Sequence, residues 1–255
     1  MSTRARSARE DASPNYFVSF TDMLVGVVFL FIILIMAYAF TYGAATDRLE
    51  RTKETLEERV SLLEQRVRVR SGLLQRLVQN LGQAGVTATA DLDQGVLRFD
   101  ESILFAPGQA EIRDPRPIEV LARLLALELP CHGERPNGGS CPETSAPILE
   151  AVYVEGHTDE RPTSRSSRFE SNWELSSARA IATYRALVRQ RPQLGAEKNA
   201  SSGIPLLGLS AYAENRPVRD RRKWDQNRRI DIRFLLAPPT ERELRIAVHG
   251  AEQTK

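Results

Sequence analysis

Asp22 is an acidic residue inside an otherwise apolar segment. Between Tyr16 and Tyr42 it carries the only charged side chain. An apolar stretch of about 20 residues is long enough to cross the hydrocarbon core of a membrane as one helix. A carboxylate there is costly, so the default interpretation of Asp22 is a functional residue. Thr21 lies beside it and could ligate sodium, or it could bond its own helix backbone.

Two other interpretations of this segment were weighed. Asp22 could lie at the membrane interface, where the positive end of the helix dipole favours a carboxylate. The segment could instead be a cleaved signal peptide, because arginines precede it and Ala37-Tyr38-Ala39 resembles a cleavage site. The apolar run is too long for a signal peptide, and an acid at its head is unusual. The sequence therefore predicts a membrane helix over 16–42 after a cytoplasmic tail, 1–15.

The charge balance and the cysteines bear on the partners and the compartment. The chain of 255 residues has 35 basic and 33 acidic residues, a net charge of +2, which gives no footprint for nucleic acid. Basic residues flank both ends of the membrane helix and slightly favour a cytoplasmic N-terminus. Cys131 and Cys141 bracket a loop rich in glycine and proline, and we predict a disulfide between them in an oxidising compartment. A zinc site would need more ligands than this loop offers.

A seven-residue rhythm follows the apolar segment. Leu49, Leu56, Leu63 and Leu77 form one series, with Arg70 in the vacant place, and Val60, Val67, Leu74 and Leu81 form a second. This spacing predicts a coiled-coil stalk over 46–81, and its residue types favour a parallel dimer. A single amphipathic helix that packs on its own domain is the alternative.

The remaining chain, 86–236, alternates between strand-like and helix-like segments and predicts an α+β domain of one sheet under two helices. Residues 237–255 are predicted to form a C-terminal tail. Asn172 is expected to be the N-cap of the second long helix. The predicted elements are Thr87 to Asp91, Val96 to Phe99, Pro117 to Leu129, Leu149 to Glu155, Asn172 to Gln190, Leu206 to Tyr212 and Ile230 to Leu235.

His157 and Asp159, with nearby serines, raise the possibility of a hydrolase. No serine lies on a recognisable nucleophile elbow, so the sequence predicts no catalytic residue. No second His or Cys lies at ligand spacing from His157, so no metal site is predicted either.

Four segments resemble, in order, the motifs of the OmpA-like peptidoglycan-binding domain: VYVEGHTDERP, NWELSSARA, LSAYAENRPV and NRRIDIRF. The resemblance implies that Asp159 and Arg179 hold the amine and the carboxylate of a diaminopimelate side chain, with Asn172 and Leu175 shaping the same groove. An arginine fork suits a carboxylate, and an acid suits an amine.

The order of membrane helix, stalk and wall-binding domain is similar to that of the MotB-type stator subunits of ion-driven membrane motors. This resemblance implies a homodimer inside a ring of MotA-like subunits, in a bacterial inner membrane with the C-terminal domain in the periplasm. It also implies that Asp22 carries the translocated ion, and no other cofactor is expected. We favour H⁺ over Na⁺ because only one obvious ionisable group is present.

The type of motor is less closely defined. The membrane segment FTDMLVGVVFLF, the short tail before it and the cysteine-bounded insert depart from flagellar subunits and look like ZorB-type subunits of Zorya anti-phage defence systems. A flagellar-type stator subunit is the first alternative. A passive tether between membrane and wall, without ion flux, is the second.

Overall fold

The computed structural model describes residues 16–131, 148–164, 168–199, 201–218 and 220–245, with side chains from residue 20 onward. The chain divides into two compact units, one ending at Glu57 and one beginning at Glu58. The helices and strands are α1 (Tyr16–Gln83), β1 (Thr89–Asp91), β2 (Val96–Asp100), α2 (Glu101–Leu104), α3 (Arg116–Glu128), β3 (Leu149–His157), α4 (Asn172–Gln190), β4 (Leu207–Ala211), α5 (Trp224–Asn227) and β5 (Arg229–Leu236).

The N-terminal unit is the first part of α1. Within the described residues, this is one helix that is long and apolar enough to cross a membrane, judged by length and composition. Its large apolar side chains are exposed, among them Leu30, Ile33 and Phe40. Such a surface is stable when lipid or another apolar helix covers it.

The C-terminal unit is built on a five-stranded sheet with the order β1-β2-β5-β3-β4. β3 and β4 are parallel, and the other neighbouring pairs are antiparallel. Leucines of α3 and α4 pack with Val152 of β3 and Ile232 of β5 in one hydrophobic core. The predicted α+β fold is confirmed.

The last turns of α1 belong to this same core. Leu74, Leu77 and Leu81 are fully buried against the domain, so these members of the heptad series cannot form a seam with a second helix. This corrects the predicted stalk over its final part and matches the alternative of an amphipathic helix packed on its own domain. Leu56 and Leu63 are 54% and 42% exposed. The dimer along that earlier stretch stays a prediction.

Arg70, which interrupts the leucine series, has a structural role in the domain. Its guanidinium donates hydrogen bonds to the carbonyl oxygens of Leu92 and Asp93, at 3.1 and 3.0 Å, in the turn between β1 and β2. Gly95 in that turn has a φ of +70°, and a Cβ there would come within 2.5 Å of the Arg70 guanidinium. The hydrogen bonds of Arg70, the charged residue in the heptad series, therefore stabilise the β1–β2 turn.

Three predicted details of the domain have different outcomes. Ser171, and not Asn172, is the N-cap of α4, because its Oγ accepts a hydrogen bond from the Glu174 amide at 3.3 Å. Ala237, in the predicted tail, accepts a hydrogen bond from Arg66 at 2.6 Å and so contacts α1. Cys131 ends the turn after α3, whereas Cys141 lies outside the described residues, so their disulfide stays a prediction.

Candidate functional site

The segment after β3 and the first half of α4 line a cavity of about 530 Å³. All four groove residues predicted from the sequence line it, namely Asp159, Asn172, Leu175 and Arg179. Asp159 lies two residues after the end of β3, and the other three lie on the first half of α4. The structure therefore brings together one acid and one arginine that are 20 residues apart in the sequence.

Arg179 is buried, with 1% of its surface exposed. Its Nη1 pairs with the Glu101 carboxylate, its Nε donates to the Gln109 carbonyl oxygen at 2.8 Å, and its guanidinium lies against the Phe105 ring. Its Nη2 is also buried and makes no hydrogen bond within the described part of the chain. The two N–H donors of Nη2 are therefore left for a carboxylate, which must open the site to reach them.

Asp159 is held by two arginines. Its Oδ2 accepts hydrogen bonds from Arg161 Nε at 2.9 Å, Arg161 Nη2 at 2.6 Å and Arg228 Nη1 at 2.8 Å, and its Oδ1 accepts one from the Arg161 amide at 3.0 Å. Burial acts to raise the pKa of this carboxyl, but these bonds outweigh burial and hold the pKa below its ordinary value. Asp159 is therefore an anion at neutral pH.

Arg228 joins the two acids of the cavity. Its Nε lies 2.7 Å from Glu101 Oε1, while its Nη1 reaches Asp159. Glu101, Arg161 and Arg228 are the functional candidates that the sequence analysis missed. Arg161 and Arg228 lie inside two of the recognised motifs, so their position in the sequence could have indicated a role in the site. Glu101 stands outside all four motifs.

Asn172 and Leu175 shape the cavity without adding charge. The Asn172 side-chain amide donates to the carbonyl oxygens of Asp159 and Arg161, at 3.2 and 3.0 Å, and so fixes the loop that follows β3. Leu175 is 7% exposed and forms an apolar wall.

His157 belongs to a separate buried cluster. Its Nε2 lies 3.7 Å from Glu155 and 3.6 Å from Asp231, distances too long for hydrogen bonds, and its ring stacks on Tyr212. Burial lowers the pKa of His157 and favours the neutral ring.

The side chains of Glu155, His157 and Asp231 are close enough to one another to be considered as metal ligands. However, Arg233 pairs with Glu155 at 2.8 Å, and Arg229 pairs with Asp231 at 3.0 Å. These cations already neutralise the acids, so the cluster fits a buried ion-pair network better than a cation site.

Thr21 and Asp22, the predicted ion-carrying residues, lie next to each other on α1. Both side chains are exposed in the single chain. Their assignment to ion transport is untested by the geometry of one chain.

Residues 144–231 match the model of the OmpA family. The C-terminal domain is OmpA-like. The solved structure of a MotB-like protein from Desulfovibrio vulgaris has the same fold, with a TM-score of 0.50 and 20% identity over 69% of this chain and 99% of that chain. The prediction that this protein is not an enzyme agrees with the OmpA-family match of its C-terminal domain.

Two proteins of Bacillus subtilis (strain 168) are similar in sequence. The uncharacterised protein YtxE is 27% identical over 241 residues, which are 87% of this chain and 88% of YtxE. Motility protein B is 26% identical over 145 residues, which are 55% of this chain and 44% of that protein. The similarity to YtxE therefore extends beyond the OmpA-like domain.

Proposed function

We propose that this protein anchors a membrane complex to peptidoglycan through the cavity that Asp159 and Arg179 line. The observation that carries the proposal is the placement of these two opposite charges in one cavity with an apolar wall at Leu175. The free end of a diaminopimelate side chain carries one carboxylate and one ammonium group. Arg179 binds the carboxylate through its Nη2 group, and Asp159 binds the ammonium.

Sedimentation with purified sacculi tests this anchoring. The substitution Asp159→Asn removes the anion, and the double substitution Glu101→Gln/Arg179→Gln removes the arginine without leaving its partner acid unpaired. Each leaves a ligand charge unmatched in a partly desolvated site, a loss of about 2–5 kcal/mol, so pelleting should disappear. Arg185→Gln, on the exposed face of α4, is the matched control and should pellet like the parent protein. Folded variants that still pellet fully would contradict the assignment of the cavity.

We further propose that the protein is a MotB-like subunit of a proton-driven motor in the bacterial inner membrane. In this proposal two copies pair through the exposed heptad positions, a MotA-like ring surrounds the two membrane helices, and Asp22 binds and releases the proton. The similarity to motility protein B supports the motor, and wall binding supplies its stationary half.

A ZorB-type subunit of a Zorya anti-phage system is the form of this motor that the sequence favours. The cysteine-bounded insert and the membrane segment FTDMLVGVVFLF support it over a flagellar-type stator. Deletion of the gene separates the two, because loss of phage protection with normal swimming fits a defence system. Loss of swimming with normal phage protection fits a flagellar stator and would contradict the defence assignment.

A further inference from the structure

In this structure Arg161 is bound to Asp159, the acid that the proposed ligand amine would use. The Asp159 Oδ2 atom already accepts two hydrogen bonds from Arg161 and one from Arg228. An oxygen with three donors has no remaining place for an ammonium group. One of the two arginines must therefore leave Oδ2 when a ligand amine binds at that oxygen.

Arg161 is the arginine that can leave at lower cost. Its side chain is 49% exposed, and exposed ion pairs contribute little to stability. Arg228 is 30% exposed and is also bound to Glu101, so its departure would unpair two acids. The guanidinium of Arg161 also lies over the Trp224 ring, 4.6 Å from its centroid. Stacking on this ring can keep the cation at the rim of the cavity after it leaves Asp159.

The charges that line the cavity indicate what the released arginine binds. Among the described lining residues, Arg161, Arg179 and Arg228 stand against Glu101 and Asp159, which gives a net charge of +1. A ligand that brings one carboxylate and one ammonium leaves this excess unbalanced. A ligand that brings two carboxylates and one ammonium balances it.

We propose that Arg161 moves from Asp159 to a second carboxylate of the same ligand. The site then selects a peptide end with two free carboxylates beside one ammonium group, and it discriminates against a peptide in which one carboxylate is amidated. Arg161 is the specificity-determining residue, because it covers Asp159 in the free protein and supplies a cation in the complex. This inference rests on the proposed binding of peptidoglycan at Asp159 and Arg179.

The test compares two soluble muropeptides by calorimetric titration of the full-length protein in detergent. Both carry an intact diaminopimelate end, and they differ in one neighbouring carboxylate, free in one and amidated in the other. We expect the parent protein to bind the free acid about tenfold more tightly, the effect of one charge-assisted hydrogen-bonded pair. Arg161→Gln should bind both peptides equally. The control Arg189→Gln, an exposed arginine of α4, should keep the preference.

Three results would overturn the inference. If Arg161→Gln keeps the parent's preference, the second carboxylate is bound elsewhere. If the parent shows no preference and Arg161→Gln tightens the binding of both peptides equally, Arg161 only covers Asp159. In either case the proposed anchoring stands. If the parent binds neither peptide while the Asp159 and Arg179 variants pellet normally with sacculi, the anchoring site fails together with the inference.

Discussion

Gly156 in β3 lies directly against Ser176 in α4. A Cβ built on Gly156 would come within 2.0 Å of the Ser176 carbonyl oxygen and 2.8 Å of its carbonyl carbon. Asp159 and Arg179 each follow this contact by three residues. The contact therefore sets the spacing between the strand that leads to the acid and the helix that carries the arginine.

The substitution Gly156→Ala should destabilise the domain, because the clash involves backbone atoms that no side-chain rotation can relieve. Overpacking of this kind costs about 1–3 kcal/mol, and the displaced helix should also weaken binding to sacculi. Urea unfolding followed by tryptophan fluorescence measures the first effect. Gly82→Ala is the matched control, because no atom lies within 4 Å of its added Cβ, and its stability should be unchanged or slightly higher. Equal stability of the parent and the Gly156 variant would show that the strand and the helix are not in this close contact.

The residues of the cavity divide into those that a local motif can reveal and those that only the fold brings in. Asp159 and Arg179 were predicted because their motifs occur in the same order as in the OmpA-like domain. Glu101 pairs with Arg179 across 78 positions of the sequence, and no local spacing signals a partner at that distance. Arg161 lies two residues after Asp159 in the sequence, yet its role depends on Trp224, which begins the distant helix α5.

The heptad series shows a different limit of the sequence. Leucines spaced by seven residues fit the seam of a dimer and also the buried face of a helix on its own domain, because both need one apolar stripe. The charge of Arg70 was the signal for the second arrangement. A guanidinium fits the carbonyl oxygens of the β1–β2 turn better than the apolar seam of a coiled coil.

Leu63 and Leu77 belong to the same predicted series and should respond oppositely to truncation. Leu77 is fully buried, so Leu77→Ala should lower the free energy of unfolding of the domain by about 2–5 kcal/mol. Leu63 is 42% exposed, so Leu63→Ala should change the free energy of unfolding by less than about 0.5 kcal/mol. It should weaken self-association instead. Urea unfolding and sedimentation velocity measure the two effects. A stable domain in Leu77→Ala would contradict the packing of α1, and unchanged association in Leu63→Ala would contradict the dimer seam.

His157 should make the domain less stable as the pH falls from about 7.5 to 5. Burial lowers the pKa of the folded histidine, whereas the unfolded side chain binds its proton near the ordinary value of about 6.5. Below that value the unfolded state holds more protons, so protonation favours unfolding, by at most about 1.4 kcal/mol for each pH unit. His157→Gln cannot titrate, and its stability should vary less over this range. Parallel pH profiles of the two proteins would contradict the neutral, buried state of His157.

Asp22→Asn separates a motor from a passive tether. Asparagine keeps the size and hydrogen bonding of the side chain but cannot bind and release a proton. If Asp22 carries the ion, the variant should co-purify with its MotA-like partner after mild detergent extraction, while phage protection or motility disappears. Asp22→Glu should retain some activity, because the carboxyl group is kept although it is displaced by one methylene. A passive tether predicts the opposite, since asparagine removes a costly acid from the membrane and should be harmless. An asparagine variant that assembles and functions normally would therefore eliminate the ion-driven mechanism, whereas intact assembly without activity is the result that we expect.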